Sequence, residues 1–508
     1  MEVITQVALS LMNPSVLLLI VFGTALGVVF GMIPGLSGPI GIALLLPLTF
    51  GLSPEGGLLM LGGIYMGSHY GGAITAILLN TPGHTPAVCT ALDGYPMAQQ
   101  GKGKEALHAA VISSVFGGLI GVLVLIFFTP LLARIALRFG PPEMLFVAIA
   151  GLVIAGSLTS ENMADGLFAG AFGLLLGSVG ADVMSGIPRL TFGVSRLRGG
   201  IPLVPLVIGL FVLSEVFAYL SAKQHVIVNA PLQSISLRQT LRTVLRKTKL
   251  LFSSSFMGTF IGVLPGAGGA VASFICYAEA KRKSPNPETF GKGNIEGIIA
   301  TESGNNAAVG GAIVPLLALG IPGSTTTAIM YGAITIHGLI PGPRLFSETP
   351  VYAYTFLIGM LLVVFVMGVI GVAGIPLFTK MTIVPLRFVV PAIVVFSVIG
   401  AYSIRNSMFD VLLAIVFGMV GFVFKRIRIP AAPIVLGLIL GPLIERNLRR
   451  SLTIASARGM NIGVFFLQRP ITIALIVLLV LAIISLRRKK SRSVSEVKAT
   501  AVSDESEP

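Results

Sequence analysis

Long apolar runs separated by short basic clusters dominate this chain, and many exceed the roughly 18 to 20 apolar residues needed to cross a bilayer core of about 30 Å. Continuous runs of that length predict helical spans, because a membrane β-barrel needs short segments of alternating hydrophobicity. Within the runs, Pro-Gly interruptions recur in pairs. The first half carries GMIPGLSGPIG at 31 to 41 and GGAITAILLNTPG at 71 to 83, and the second carries GVLPGAGGAVA at 262 to 272 and GGAIVPLLALGIPG at 310 to 323. A helix broken twice in each of two matching halves predicts a secondary transporter whose binding site lies between repeats.

The basic clusters sharpen this picture. Arg238, Arg242, Arg246, Lys247 and Lys249 precede the break at Pro265, and Lys281, Arg282 and Lys283 follow it. If both clusters lie on the cytoplasmic side, each arm has about 14 residues, roughly 20 Å of helix, which is too short to span. The segment therefore reads as a re-entrant hairpin with its tip near mid-membrane, where freed backbone must be buried in protein or line a watery cavity. Equivalent loops of the two halves carry opposite charge bias: FGLSPEGG against KRKSPNPETFGKG, and QQGKGKEALH against HGLIPGPRLFSE. That reversal predicts inverted repeats. The resulting division is a first membrane repeat over 1–235, a linker over 236–250, a second repeat over 251–487 and a polar, disordered cytoplasmic tail over 488–508. SLRQTLRTVLRKTKL at 236 to 250 sets leucines and valine on one helix face and basic residues on the other, as an interfacial helix would. An ordinary basic loop is the alternative. Spans are expected near 384–403, 406–424, 430–445 and 468–486. The topology of 130–200 stays open, because Arg134, Arg138, Arg189, Arg196 and Arg198 do not obviously share a side.

Composition agrees with the pattern. The chain is 54% hydrophobic and 11% charged over 508 residues, with mean hydropathy +0.94, so the fold class is an all-α polytopic membrane protein. Its formal net charge of +15 sits in loops and the tail, as the positive-inside rule requires, and does not indicate nucleic acid. Cys89 and Cys276 lie in apolar segments without metal or disulfide spacing. No basic residue precedes the first apolar run, so a cleaved secretory signal is not expected.

The polar residues near the breaks are the candidate chemistry. Hydroxyls, amides and free backbone N–H groups at half-helix N-termini suit a carboxylate, and unpaired carbonyls at the opposite ends suit a cation. Ser37, Gly38, Asn80, Thr81, Gly83, Gly268, Gly269, Asn305, Asn306, Ser324, Thr325 and Thr326 are therefore candidates for substrate binding. Glu302, Ser303, Thr85, Pro34, Gly35, Pro265 and Gly266 are candidates for cation coupling, with Na+ as a possible ion and no other cofactor or metal. The alternatives are that these hydroxyls satisfy neighbouring helix backbone, and that Glu302 caps a helix start at the interface. Asp93, Glu143, Glu161, Asp165 and Asp182 are expected to anchor span ends. No P-loop, HExxH or Gly-x-Ser-x-Gly pattern supports an enzyme.

PGLSGPIGIALLLP at 34 to 47, LLNTPGHTPAVCTALDGYPMAQQGKGKEAL at 78 to 107 and the long block from PGAGGAVASF at 265 to GLIPGP at 343 resemble the large membrane subunit of the tripartite tricarboxylate transporter family (TctA). The resemblance implies a bacterial inner-membrane protein of roughly ten to twelve spans in two repeated halves. It also implies a small four-span membrane partner, a periplasmic solute-binding protein that delivers a carboxylate, and uptake driven by an ion gradient. Pro34, Gly35, Asn80, Pro82, Gly83, Pro265, Gly266, Asn305, Asn306, Pro322 and Gly323 fall on its motif positions. The expected function is import of a di- or tricarboxylate by alternating access with Na+ or H+. A passive anion channel and a membrane-embedded enzyme are the alternatives.

Overall fold

A computed structural model describes residues 2–33, 36–159, 162–182, 185–220, 236–379, 386–403, 405–481 and 483–484. The chain is an all-α polytopic membrane protein: among the described residues, seven helices are long and apolar enough to cross a membrane, and shorter apolar helices accompany them. Pro34 and Gly35, Glu161, the first repeat's last residues 221–235 and the tail lie outside the described residues.

The first half runs through α1 (Glu2–Met12), α2 (Pro14–Met32), α3 (Gly38–Thr49), α4 (Pro54–Leu79), α5 (Ala87–Met97), α6 (Gly103–Ala136), α7 (Pro141–Thr159) and α8 (Met163–Gly177). A two-residue hairpin, β1 (Gly180–Ala181) with β2 (Pro188–Arg189), leads to α9 (Leu203–Val207), which continues through a π-turn into α10 (Ser214–Leu220). The second half runs through α11 (Leu237–Leu245), α12 (Thr248–Val263), α13 (Gly268–Lys283), α14 (Ile295–Leu319), α15 (Thr325–Ile336), α16 (Pro343–Glu348) and α17 (Pro350–Phe378). It ends with α18 (Leu386–Ser403), α19 (Met408–Arg426), α20 (Ala431–Ala457), α21 (Ile462–Leu467) and a final helical stretch, Pro470–Leu481.

Local signals place these ends. Asn13, Ser53, Asn294 and Ser324 cap α2, α4, α14 and α15 by accepting a first-turn backbone N–H, which satisfies donors that a helix start leaves free. The ends of α4 and α14 match each other: Asn80 (φ 52°) and Gly320 (φ 71°) adopt left-handed backbone, and a Pro-Gly break follows each. The arms α12 and α13 have 16 residues each, roughly 24 Å of helix, so neither crosses a bilayer core of about 30 Å.

Packing is reciprocal between the halves. α2 lies along α4 as α12 lies along α14; α6 crosses to α14 as α17 crosses to α4; α1 rests on α17 as α11 rests on α6. Likewise α3 meets α15 and α13 meets α5, while α8 packs on α20 and α19 packs on the α9–α10 helix. With no preference of apolar side chains for each other over lipid, such contacts depend on close backbone approach through small residues. Gly23, Gly27 and Gly31 face the backbone of Met60, Ile64 and Ser68, and Gly258 and Gly262 face that of Gly304 and Ala308.

The two long helices α4 and α14 meet at the centre. Every residue from Gly56 to Ile77 and from Gly297 to Ala318 is buried. Neither helix therefore needs an apolar face toward lipid, and both carry polar residues.

Several arginines of 130–200 fall at one end of the molecule. Lys102 and Lys104 begin α6 at the end where the Gln100 side chain donates to the Lys292 carbonyl and Lys247 pairs with Glu296. The 34 residues of α6 then carry the chain to Arg134 at the far end, where Arg469 pairs with Glu143. Arg189 pairs there with Asp182 and Glu445, and Arg196 donates to Ser407. The end that carries Lys102, Lys104 and Lys247 thus lies opposite the end that holds Arg134, Arg189 and Arg196. α20 runs beyond the expected 445 to Ala457, because Arg449 in its continuation joins the Asp182 and Glu445 network.

A β-carbon on Gly258 would come within 2.6 Å of the Gly304 Cα, so Gly258→Val is expected to cost about 1–3 kcal/mol through overpacking. Gly51→Val, where nothing lies within 4 Å, is expected to leave the thermal midpoint in detergent unchanged. A thermal unfolding scan of the two variants checks both.

Candidate functional site

The breaks of the two halves come together around α4 and α14. At the second hairpin tip, Gly266 (φ 83°) turns the chain and its N–H donates to the Gly323 carbonyl over 2.9 Å. The tip of one broken element is thereby bonded to the break of the other. In the first half, Gly83 sits against the Gly31 carbonyl and Gly72, and Gly38 sits against the Ser68 hydroxyl.

A cross-repeat hydrogen-bond pair lies at the meeting point. The Asn305 Nδ2 donates to the His69 carbonyl over 3.2 Å, so its Oδ1 is the acceptor for His69 Nδ1 at 2.7 Å. That pairing makes Nδ1 the protonated ring nitrogen and leaves Nε2 as an acceptor in the neutral imidazole. Gly269, in the first turn of α13, touches this pair: a β-carbon there would lie 2.6 Å from Asn305 Oδ1 and 2.8 Å from His69 Cε1. Tyr65, one turn earlier on α4, bonds Ser324 Oγ at 2.9 Å, and Ser324 with Thr327 forms the capping box of α15. The His69 ring meets the rings of Tyr65 and His84 edge to face, with centroids 5.1 Å and 5.2 Å apart. The first turns of α13 and α15 thus begin beside one polar cluster, and helix starts favour negative charge.

A second buried site adjoins the first. Glu302, one turn before Asn305 and Asn306 on α14, is fully buried. Its two carboxylate oxygens accept from Thr90 Oγ1 of α5 at 2.5 Å and from Ser114 Oγ of α6 at 2.9 Å. Among the described residues no Lys, Arg or His pairs with it. Because it stands inside α14, it is not an interfacial cap.

The remaining sequence candidates divide. Gly268, Gly269, Asn305, Ser324, Thr325, Thr326, Pro265 and Gly266 gather at the tip and the second break. Thr325 and Gly268 are half-buried, and Thr326 is buried. Asn306 lies deeper, donating to the sulfurs of Met66 and Met367 at 3.5 Å and 3.3 Å. Ser303 bonds the Ile299 carbonyl of its own helix, and Thr81 bonds Leu79, so both satisfy backbone rather than face the cluster. Asn80 is exposed and serves the left-handed turn, and Thr85 is exposed as well. Ser37 is half-buried at the start of α3. Of the span-end acids, Asp93 accepts from the backbone of Gly291, Gly293 and Asn294 and from Tyr277, tying α5 to the turn before α14.

Sequence reasoning noted His69 among the polar residues of the first half's broken helices but passed over Tyr65, Thr90 and Ser114. Tyr65 and His69 stand four apart in an otherwise apolar run, which places them on one helix face, and that spacing was the available signal. Thr90 and Ser114 carried none, since nothing local relates them to Glu302.

A family model described as "Tripartite tricarboxylate transporter TctA family" matches residues 17–436. The chain belongs to the TctA family. It is 38% identical over 454 residues, 89% of each chain, to an "Uncharacterized 52.8 kDa protein in TAR-I ttuC' 3'region" of Agrobacterium vitis. It is also 39% identical over 240 residues to an "Uncharacterized protein in TAR-II ttuC' 3'region" of the same organism, covering 46% of this chain and 98% of that one. No solved structure matches the chain. TctA membership makes it a subunit of a tripartite transporter.

Removing the Glu302 carboxylate leaves the buried Ser114 hydroxyl without its acceptor and Thr90 with only its longer bond to Thr301, at a cost of about 1–3 kcal/mol. Glu302→Ala is therefore expected to lower the thermal midpoint in detergent, and Glu302→Gln, which keeps an oxygen in place, to lower it less. Equal midpoints for the two variants would remove the hydrogen bonds from the account.

Proposed function

We propose that this chain is the large membrane subunit of a binding-protein-dependent secondary transporter that imports a di- or tricarboxylate across a bacterial inner membrane. In this reading a small four-span membrane subunit accompanies it, and a periplasmic solute-binding protein delivers the substrate. The observation that carries the reading is the pairing of His69 and Asn305 between α4 and α14, with the first turns of α13 and α15 beginning beside it. Substrate carboxylates would accept from the first-turn amides of those two helices and from Ser324 and Thr325. Glu302 would carry the coupling proton or help hold Na+, since an ionisable group at membrane depth is costly to keep unless it functions. The end that carries the basic clusters at 238–249 and 281–283 is taken as cytoplasmic, as in the reading of the sequence.

Alternating access between inverted repeats is supported by a difference between equivalent hairpins. α3 packs against α9 and α18 as well as α4, whereas α13 is packed by α5, α12 and α14. Counted from the starts of the two helices, Leu44 and Leu45 correspond to Phe274 and Ile275. The leucines are 5% and 7% exposed, and the second pair are 46% and 37% exposed. A symmetric pair of repeats in one asymmetric arrangement is what one end state of such a cycle produces. The more exposed hairpin belongs to the end that carries Lys247 and Lys283. Substrate and ion shift this equilibrium only by binding the two states unequally.

Thr325→Ala is expected to reduce carboxylate uptake about tenfold, the loss of one charge-assisted hydrogen bond, and Asn305→Ala to reduce it through loss of the His69 pairing, while membrane insertion stays normal. Uptake into proteoliposomes, with the solute-binding protein present, measures this, and wild-type rates in both variants reject the site. A cysteine at Phe274 is expected to react with a maleimide faster than one at Leu44, and to slow when substrate and ion are added. Cys89 and Cys276 are buried, so the background reaction is low. Equal rates at the two positions would contradict the asymmetry of the two hairpins.

A further inference from the structure

At the base of the second hairpin, away from the site just described, a cavity of about 580 Å³ opens between the start of α12, the end of α13 and the start of α14. Arg246, Lys247, Lys249 and Lys283 line it together with Glu279 and Glu296. Lys247 pairs with Glu296 at 2.5 Å and Lys283 with Glu279 at 2.8 Å. Arg246 and Lys249 have no carboxylate partner among the described residues, so the cavity presents two uncompensated cations.

Its surroundings are equally particular. Lys249 begins a face of α12 that continues through Phe252, Phe256 and Phe260, which are 45%, 54% and 72% exposed. Residues at this spacing share one side of the helix, so a basic cavity runs directly onto an aromatic ladder along the membrane-facing surface. α11 lies beside it with Thr240 and Val244 buried against α6, exposed Leu237, Leu241 and Leu245 along one side, and Arg238, Arg242 and Arg246 one turn apart along the next. That is the arrangement of a helix lying in the headgroup layer.

We propose that this cavity binds the phosphate of an anionic phospholipid headgroup, with Arg246 and Lys249 as its ligands and the acyl chains laid over Phe252, Phe256 and Phe260. Basic pockets between membrane helices recognise such headgroups. A lipid held there braces the base of the hairpin whose tip carries Gly266 and Gly269.

The test uses the full chain reconstituted in phosphatidylcholine vesicles with and without phosphatidylglycerol, then extracted in mild detergent, with retained lipid identified by native mass spectrometry. Wild type is expected to retain phosphatidylglycerol over phosphatidylcholine. Arg246→Gln with Lys249→Gln is expected to reduce that preference roughly thirtyfold, and Lys249→Gln alone to reduce it partly; this exposed single change keeps the test interpretable if the double variant is unstable. Lys281→Gln, which removes an exposed lysine of α13 that does not line the cavity, is expected to retain the wild-type preference. An equal loss with Lys281→Gln would mean diffuse charge attraction and overturn the proposal. Displacement of phosphatidylglycerol by millimolar inorganic phosphate would reassign the cavity to a free anion and overturn the lipid as its occupant. An unchanged preference in the double variant would also overturn it.

Discussion

A backbone amide that leaves a helix inside a bilayer must find its partner in the protein, because hydrocarbon offers none. Here the Gly266 N–H finds the Gly323 carbonyl, so two interrupted segments stabilise each other. This bond fixes where the tip of the second hairpin can lie, and with it where Gly268 and Gly269 place the first turn of α13. The capping box of Ser324 and Thr327 does the same for α15 on the other side of the bond. The polar cluster is therefore a consequence of how broken backbone is satisfied.

The second requirement is that polar residues at this depth never meet lipid. α4 and α14 are covered on all sides, with α2 and α17 on one and α12 and α6 on the other. The glycine contacts between these helices allow the approach that coverage demands. A carboxylate as buried as that of Glu302 is tolerable only with donors aimed at it, and α5 and α6 each supply one. Packing and chemistry are thus one problem: the small residues that bring backbones together are also what allows His69, Asn305 and Glu302 to be enclosed.

Much of this was legible in the sequence because it rests on local signals. The paired Pro-Gly breaks marked the ends of α4 and α14, and the basic clusters around 238–249 and 281–283 marked a hairpin too short to span. The helical reading, a helix at α11 and the polar crowding around Glu302, Asn305 and Asn306 came from the residue pattern alone. What was not legible depends on contacts between distant segments. Arg189 and Arg196 gave no consistent side until Glu445 and Ser407, far along the chain, appeared as their partners. Asn80 looked like a ligand because amides bind anions, but its left-handed backbone explains it better. Thr81 looked equivalent to Ser324 and Ser303 looked like a cation ligand, and only the structure separates hydroxyls turned back on their own backbone from one bonded across the repeats.

The central claim is that the interruptions of the two halves enclose one carboxylate site beside His69 and Asn305. A structure of the protein determined in lipid with a saturating tricarboxylate addresses it most directly. The account predicts ligand density against the first turns of α13 and α15, in contact with Ser324 or the Gly269 amide. Density bound only elsewhere, for example among the arginines of α20 and the β-hairpin, with the cluster around Asn305 unchanged and closed, would contradict it.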